Sequence, residues 1–306
     1  MHKWISDPGE HPPGQALIVF AVFLLALVAV MALALDGGNI YLHRRRAQNA
    51  ADAGALAGAR ILALSGSSSE AYEAAELYAI DKNNADRCDI TVSEPGVTVV
   101  AYRDVPMTFA RLVGLAQVTV RAQATARWAP VGSVARLVPI AVKDFDYIFT
   151  HNYTIWDDDV ADPPDPLETD TISGNNRGWL NLDCLYPAEC GDAGADLTTE
   201  WMLNGYTGNV ATDSWYRGSS GIMTRPLAIT QARIGDMLFM PIYDVIQDLY
   251  SGKAYYHIIK FAAFEVTQVY DTGNPKGLQG NFQYYTTSGP PSTGDDGGLR
   301  TVLLTR

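Results

Sequence analysis

"ALIVFAVFLLALVAVMALAL", Ala16 to Leu35, decides how this chain is read. The run contains no charge, no polar side chain, no glycine and no proline. As a helix rising ~1.5 Å per residue it spans ~30 Å, the hydrocarbon thickness of a bilayer. Pro12, Pro13 and Gly14 precede it and set it apart from a short N-terminal tail. A secretory signal peptide would carry a shorter apolar core, ~7–15 residues, behind a basic leader. Here Lys3 is the only Lys or Arg before the run, and more helix follows it instead of a cleavage site. The segment is therefore expected to be a retained transmembrane anchor.

Working outward, the helical pattern resumes after Asp36-Gly37-Gly38 and runs from Asn39 to about Leu64. Gly37 and Gly38 are helix-weak and mark where such a rod would bend on leaving the membrane. Beyond Arg44, Arg45 and Arg46 the helix is thin, built largely of alanine and glycine. Gly54-Ala-Leu-Ala-Gly58 is a small-xxx-small pattern that lets another helix approach closely. Alanine is also the best helix former, so a well-made helix accounts for the composition equally well. Such a surface packs against its own domain or against copies of itself. The positive-inside rule counts Lys3 on one side and the arginine triplet on the other. Taken alone, it places the large domain in the cytoplasm.

These residues resemble the N-terminal segment of the TadE/TadG-like proteins of tight-adherence (Flp) pilus systems. The pieces that match are Gly14-Gln15-Ala16-Leu17, Asp36-Gly37-Gly38, and Arg45 to Asp52 leading into Ala55-Leu56-Ala57-Gly58-Ala59. "VPMTFARLVGLAQVTVRAQATA", Val105 to Ala126, extends the resemblance more loosely to about residue 128. Gly174–Cys184 and Met240–Tyr270 are similar to stretches in the C-terminal regions of related surface proteins. The resemblance implies a pilin-like topology: cytoplasmic tail, one membrane crossing, body on the outer side. The arginines belong to the family pattern itself, so the family orientation is preferred to the charge count. It also implies partners, namely the membrane and other pilin-like or pilus-assembly proteins in a homo- or hetero-oligomer. Gln48, Asn49, Asp52, Gly54 and Gly58 would form the packing stripe on the Ala-rich helix. Pseudopilins of this system are cut after a glycine, with Glu fifth in the mature chain. A cut after Gly14 would put Gln15 first and Val19 fifth, a departure from that pattern. Longer members carry a DxSxS metal motif, and none occurs in this sequence.

The expected architecture is α+β. Residues 1–15 form the tail, 16–35 the transmembrane helix, 36–128 a pilin-like helical stalk with a small sheet, and 129–306 a mostly β surface domain. Ser67 and Glu70 make a capping box for a helix over about 68–82. Its Ala71, Ala74, Ala75, Leu77 and Tyr78 should face the first helix. Asp89–Val92, Val97–Tyr102 and Val118–Trp128 alternate as strands do, with a short helix over Met107–Leu112 between the last two. Further strands are expected over Arg136–Val142, Tyr147–Ile155, Met237–Ile242, Tyr255–Gln268, Gln279–Thr286 and Thr301–Leu304, separated by Gly/Pro turns.

Net charge is −12. Up to Arg60 there are five basic and four acidic residues, so 61–306 carry −13. That balance argues against nucleic-acid binding, which needs a basic face. Cys88, Cys184 and Cys190 include no CxxC pair. Cys184 and Cys190 flank a short loop that a disulfide would close outside the cell, and spacing alone leaves this open. Asp157, Asp158, Asp159, Asp162 and Asp165 could offer oxygen ligands to Ca²⁺, but the spacing is not that of an EF-hand and prolines interrupt it. A solvated acidic loop is the expected reading. His151 and His257 are the candidates for a catalytic base, yet no GxSxG, P-loop or GxGxxG occurs. The aromatic C-terminal half could bind a protein or glycan, or simply fill a β core. No cofactor and no enzymatic activity are expected. The reading is a membrane-anchored, minor pseudopilin-like component of pilus assembly or surface adhesion. The alternative is an anchored ligand-binding or enzymatic domain unrelated to pili.

Overall fold

The computed structural model describes residues 13–156, 170–172, 177–219, 224–250, 253–273 and 276–305. The chain divides into two compact units. The first comprises Met1–Gly54, Glu76–Ile90 and Val99–Ala124, and the second Ala55–Ala75, Thr91–Thr98 and Thr125–Arg306. Some single elements therefore contribute residues to both.

Helix α1 (Pro13–Ser65) is one uninterrupted helix of 53 residues. It starts on a proline, whose missing N–H costs nothing in a first turn. It does not break at Gly37-Gly38. Two glycines cost about 1 kcal/mol each, which propagation from long helical runs on both sides outweighs. Helix α2 (Ser68–Glu76) is capped as expected, the Glu70 N–H donating to Ser67 Oγ at 3.3 Å. It then widens into a π-helical stretch, Leu77–Lys82. Ala71, Ala75 and Ala79 are buried, whereas Leu77 and Tyr78 are exposed. This corrects the expected face: Ala71, Ala75 and Ala79 lie four apart and share the inward side, from which Leu77 and Tyr78 are turned away.

Strands β1 (Arg87–Ser93), β2 (Gly96–Pro106) and β3 (Gln117–Pro130) follow. In the first unit Val105, Met107 and Val120 form a small core, with Ile40, Ala110 and Val118 packed on it. The helix expected over Met107–Leu112 is a single 3₁₀ turn, Ala110–Val113, ended by Gly114 at φ 94°.

The second unit continues with β4 (Ser133–Val134), β5 (Ile140–Lys143), β6 (Asn152–Trp156), β7 (Asp170–Ile172), β8 (Arg177–Leu185), α3 (Ala195–Asn204), β9 (Val210–Ala211), β10 (Ser214–Ser219) and α4 (Thr224–Ile229). It ends with β11 (Met237–Tyr250), β12 (Lys253–Tyr270), β13 (Gly277–Gln283), β14 (Tyr285–Thr286) and β15 (Leu299–Thr305). One sheet has the order β1-β2-β3-β15-β14 and another β10-β8-β5-β11-β12-β13-β6-β7. The N-terminal half of β12 also pairs with β10, closing five strands on themselves, while its C-terminal half pairs with β13.

The larger sheet is buried on both faces. Along β5, Ile140 and Val142 join one core cluster and Ala141 another. Along β12, Ala262 and Phe264 join the first, Phe261 and Ala263 the second. A strand covered on both sides reads as a continuous apolar run, which is why "FAAF" shows no alternation. Two expected strands are shorter than their apolar character suggests. Arg136 and Thr150 take positive φ values of 64° and 66°, a backbone that ends an extended strand. The strands accordingly begin at Ile140 and Asn152.

Candidate functional site

Along α1 three environments succeed one another. From Leu17 to Leu35 nearly every residue is exposed, with Leu25 and Leu33 at 74% and 76%. This one helix is long and apolar enough to cross a membrane. From Ala47 to Ala63 the small residues are buried at helical spacing: Ala47, Ala50, Ala51, Ala55, Ala59 and Ala63. Between these two stretches lie Asp36 and an exposed stretch, Tyr41, Leu42 and the arginine triplet.

Asp36 is buried, and its carboxylate accepts three backbone N–H bonds, from Thr108 at 2.9 Å, Phe109 at 3.0 Å and Ala110 at 2.7 Å. These donors, that of Ala110 first, hold its carboxyl below the usual aspartate range. Asn39 adds a bond from its side-chain amide to the Pro106 carbonyl at 3.2 Å. His43 is also held below its usual range: burial first, then the Arg103 and Arg46 charges, favour the neutral ring.

The five residues read as a packing stripe fall into distinct settings. Gln48 donates to Asp52 at 2.8 Å and to the Gln123 carbonyl at 3.3 Å. Asn49 is exposed. Gly54 and Gly58 are buried. A Cβ at Gly58 would lie 2.9 Å from the Ala71 carbonyl and 3.0 Å from Ala75 Cβ and Val97 Cγ1. The space beside Gly58 is thus filled by the chain's own α2 and β2. Gly14 lies in the first turn of α1.

Cys184 and Cys190 are joined, with Cα atoms 5.8 Å apart, and Cys88 is free. The acidic loop containing Asp157, Asp158, Asp159, Asp162 and Asp165 lies outside the described residues. Among the described residues, no group of three or more His, Cys, Asp or Glu is placed to hold a metal ion.

The two histidines are not brought together as a catalytic pair. His151 packs edge-on to Tyr153. His257 lies between two carboxylates, Nδ1 at 2.9 Å from Asp244 and Nε2 at 3.1 Å from Asp213, with Trp215 against its ring. Both ring nitrogens are thus engaged by carboxyl groups. A groove of about 610 Å³ lies here, lined by Asp144, Asp213, Asp244, His257, Thr293 and Asp295 among others. Sequence reading also missed the partner of Asp36. The amides it binds lie 72–74 residues away, and no local pattern connects them.

The chain thus joins a long N-terminal helix, apolar and exposed at its start and alanine-packed further on, to a mainly β region. Residues 14–60 match the family described as putative Flp pilus-assembly TadE/G-like. No curated protein and no solved structure matches the chain. The matched span holds the apolar run, Asp36, the arginine triplet and the buried alanines up to Ala59, and it points to an association with Flp pilus assembly.

Proposed function

We propose that this protein is a membrane-anchored structural component of Flp-type pilus assembly, similar to a minor pseudopilin, with its β region presented outside the cytoplasm. One observation carries the proposal: a single helix is clad in its own fold at one end and left apolar on every side at the other. Water would not tolerate such a stretch, whereas a bilayer would. The Cys184–Cys190 bridge supports an oxidising compartment for the body, against the arginine count. The apolar helix anchors and the β region presents a surface.

Partner helices are assigned here to the face of α1 that the chain itself leaves open. Tyr41, Leu42, Arg45 and Asn49 are exposed at helical spacing, while Gly54 and Gly58 are covered. Photo-crosslinkers placed at Tyr41 and Asn49 should trap pilus-assembly proteins in cells that build the pilus. Adducts found at neither position, with the chain correctly inserted, would contradict the assembly role. Mass spectrometry of the mature N-terminus separates a pseudopilin cut after Gly14 from a permanent anchor with an intact tail.

A further inference from the structure

The first unit descends α1 in steps. Gln48 meets Gln123, Asn39 meets Pro106, and Asp36 meets Thr108, Phe109 and Ala110. At ~1.5 Å per residue, the contacts move about 18 Å down the helix towards the apolar run. The next residues, Arg111 to Leu115, complete the turn between β2 and β3 that carries this lowest contact, and form the tip of that connection. The tip is tightly built: Leu112 N–H donates to Phe109 O at 2.9 Å, Leu115 N–H to Ala110 O at 3.0 Å, and Gly114 turns the chain at φ 94°. Yet it presents Leu112 at 84% exposure and Leu115 at 49%, beside an exposed Arg111. Asp36, to which it is pinned, immediately follows the last residue of the apolar run.

We propose that this tip is a second membrane contact, with Leu112 and Leu115 entering the headgroup and acyl boundary of the bilayer crossed by α1 and Arg111 facing lipid phosphates. The inference rests on the anchor reading above. If Leu35 ends the hydrocarbon span, a loop tied to Asp36 lies at the interface. Apolar side chains flanked by a cation are favoured there, sinking ~5–10 Å. The Asp36 bonds would then tie this loop to α1 where the helix leaves the bilayer, giving the first unit a second point of membrane contact.

The test uses the full chain with Cys88→Ser, reconstituted in phosphatidylcholine/phosphatidylglycerol vesicles. Single cysteines at Leu112, Leu115, Leu25 and Asn49 carry an environment-sensitive nitrobenzoxadiazole label. Doxyl-labelled phosphatidylcholine should quench L112C and L115C at least half as strongly as L25C, and leave N49C bright. Quenching at L25C with a water-like, iodide-accessible label at L112C would overturn the tip contact and leave the anchor standing. A label at L112C shielded from both lipid quencher and iodide would also overturn it, showing a protein cover. An unquenched L25C would overturn the anchor itself.

Discussion

Asp36 terminates the apolar run and orders a loop distant in sequence. Its carboxylate is held below the usual aspartate range by backbone N–H donors, so it stabilises the fold where it is ionised. That contribution is complete above the ordinary aspartate value of 3.8 and is lost as pH falls through the lower folded value. Protection of the Thr108–Ala110 amides against exchange, taken relative to the intrinsic rate at each pH, should therefore be high at neutral pH and fall in strong acid, and Asp36→Ala should lower it at neutral pH. Unchanged exchange in Asp36→Ala would show the bonds to be dispensable. Gly58 makes a second demand at this scale. Gly58→Leu must displace backbone at Ala71 and should cost about 1–3 kcal/mol, read as a lowered melting temperature in detergent. A variant that melts like wild type would return this glycine to the role of a partner-helix contact. Both residues belong to motifs visible in the sequence. What Asp36 binds was not visible, because its acceptor role depends on a loop brought back from residues 108–110.

Helix α1 is exposed and apolar at one end and packed at the other, and its far end shows how the fold holds it. Arg300 is buried, donates to the Ala63 carbonyl in the last turn and to Asp296, and stacks between Trp128 and Tyr284 at 3.9 Å from each. A cation is favoured where helix carbonyls lack partners. Arg300→Ala would take the guanidinium from Asp296 Oδ2 and the Ala63 carbonyl and should cost on the order of 3 kcal/mol. Arg300→Lys should rescue it poorly, since a lysine cannot both fork and stack. Chemical denaturation of the two variants checks both expectations. The Cys184–Cys190 bridge closes a short loop, and Cys184→Ser with Cys190→Ser should cost about 2 kcal/mol by the loop-entropy relation. The long apolar elements were legible: α1 from composition, and β11, β12 and β15 from runs of apolar and β-branched residues. Helix α3 was not. It opens on Gly194 without a side-chain cap, buries Thr198 and Thr199, and exposes Leu197 and Leu203. Its pattern therefore reads inside out. The face of α2 was misplaced because the large apolar Leu77 and Tyr78 were set inward, whereas the four-residue spacing of Ala71, Ala75 and Ala79 makes the buried side.

At the scale of the whole molecule, an acidic, mainly β body follows a helix whose first stretch, Ala16 to Leu35, carries no charge. The α+β class and the order of helix before sheet could be read from hydropathy and turn residues. The strand order could not, since β12 pairs with three different strands and such pairings leave no mark on local sequence. The family match covers residues 14–60, so it bears on the helix and leaves the β region to be understood from its own chemistry. The central claim is that α1 crosses the membrane once and holds the body outside the cytoplasm. Protease treatment of intact cells, followed by mass spectrometry of the membrane fraction, tests it most directly. The account predicts that the β region is digested while a fragment containing Leu17–Leu35 survives. A body that stays intact until the cells are opened would contradict it and place the body, as the arginine count does, in the cytoplasm.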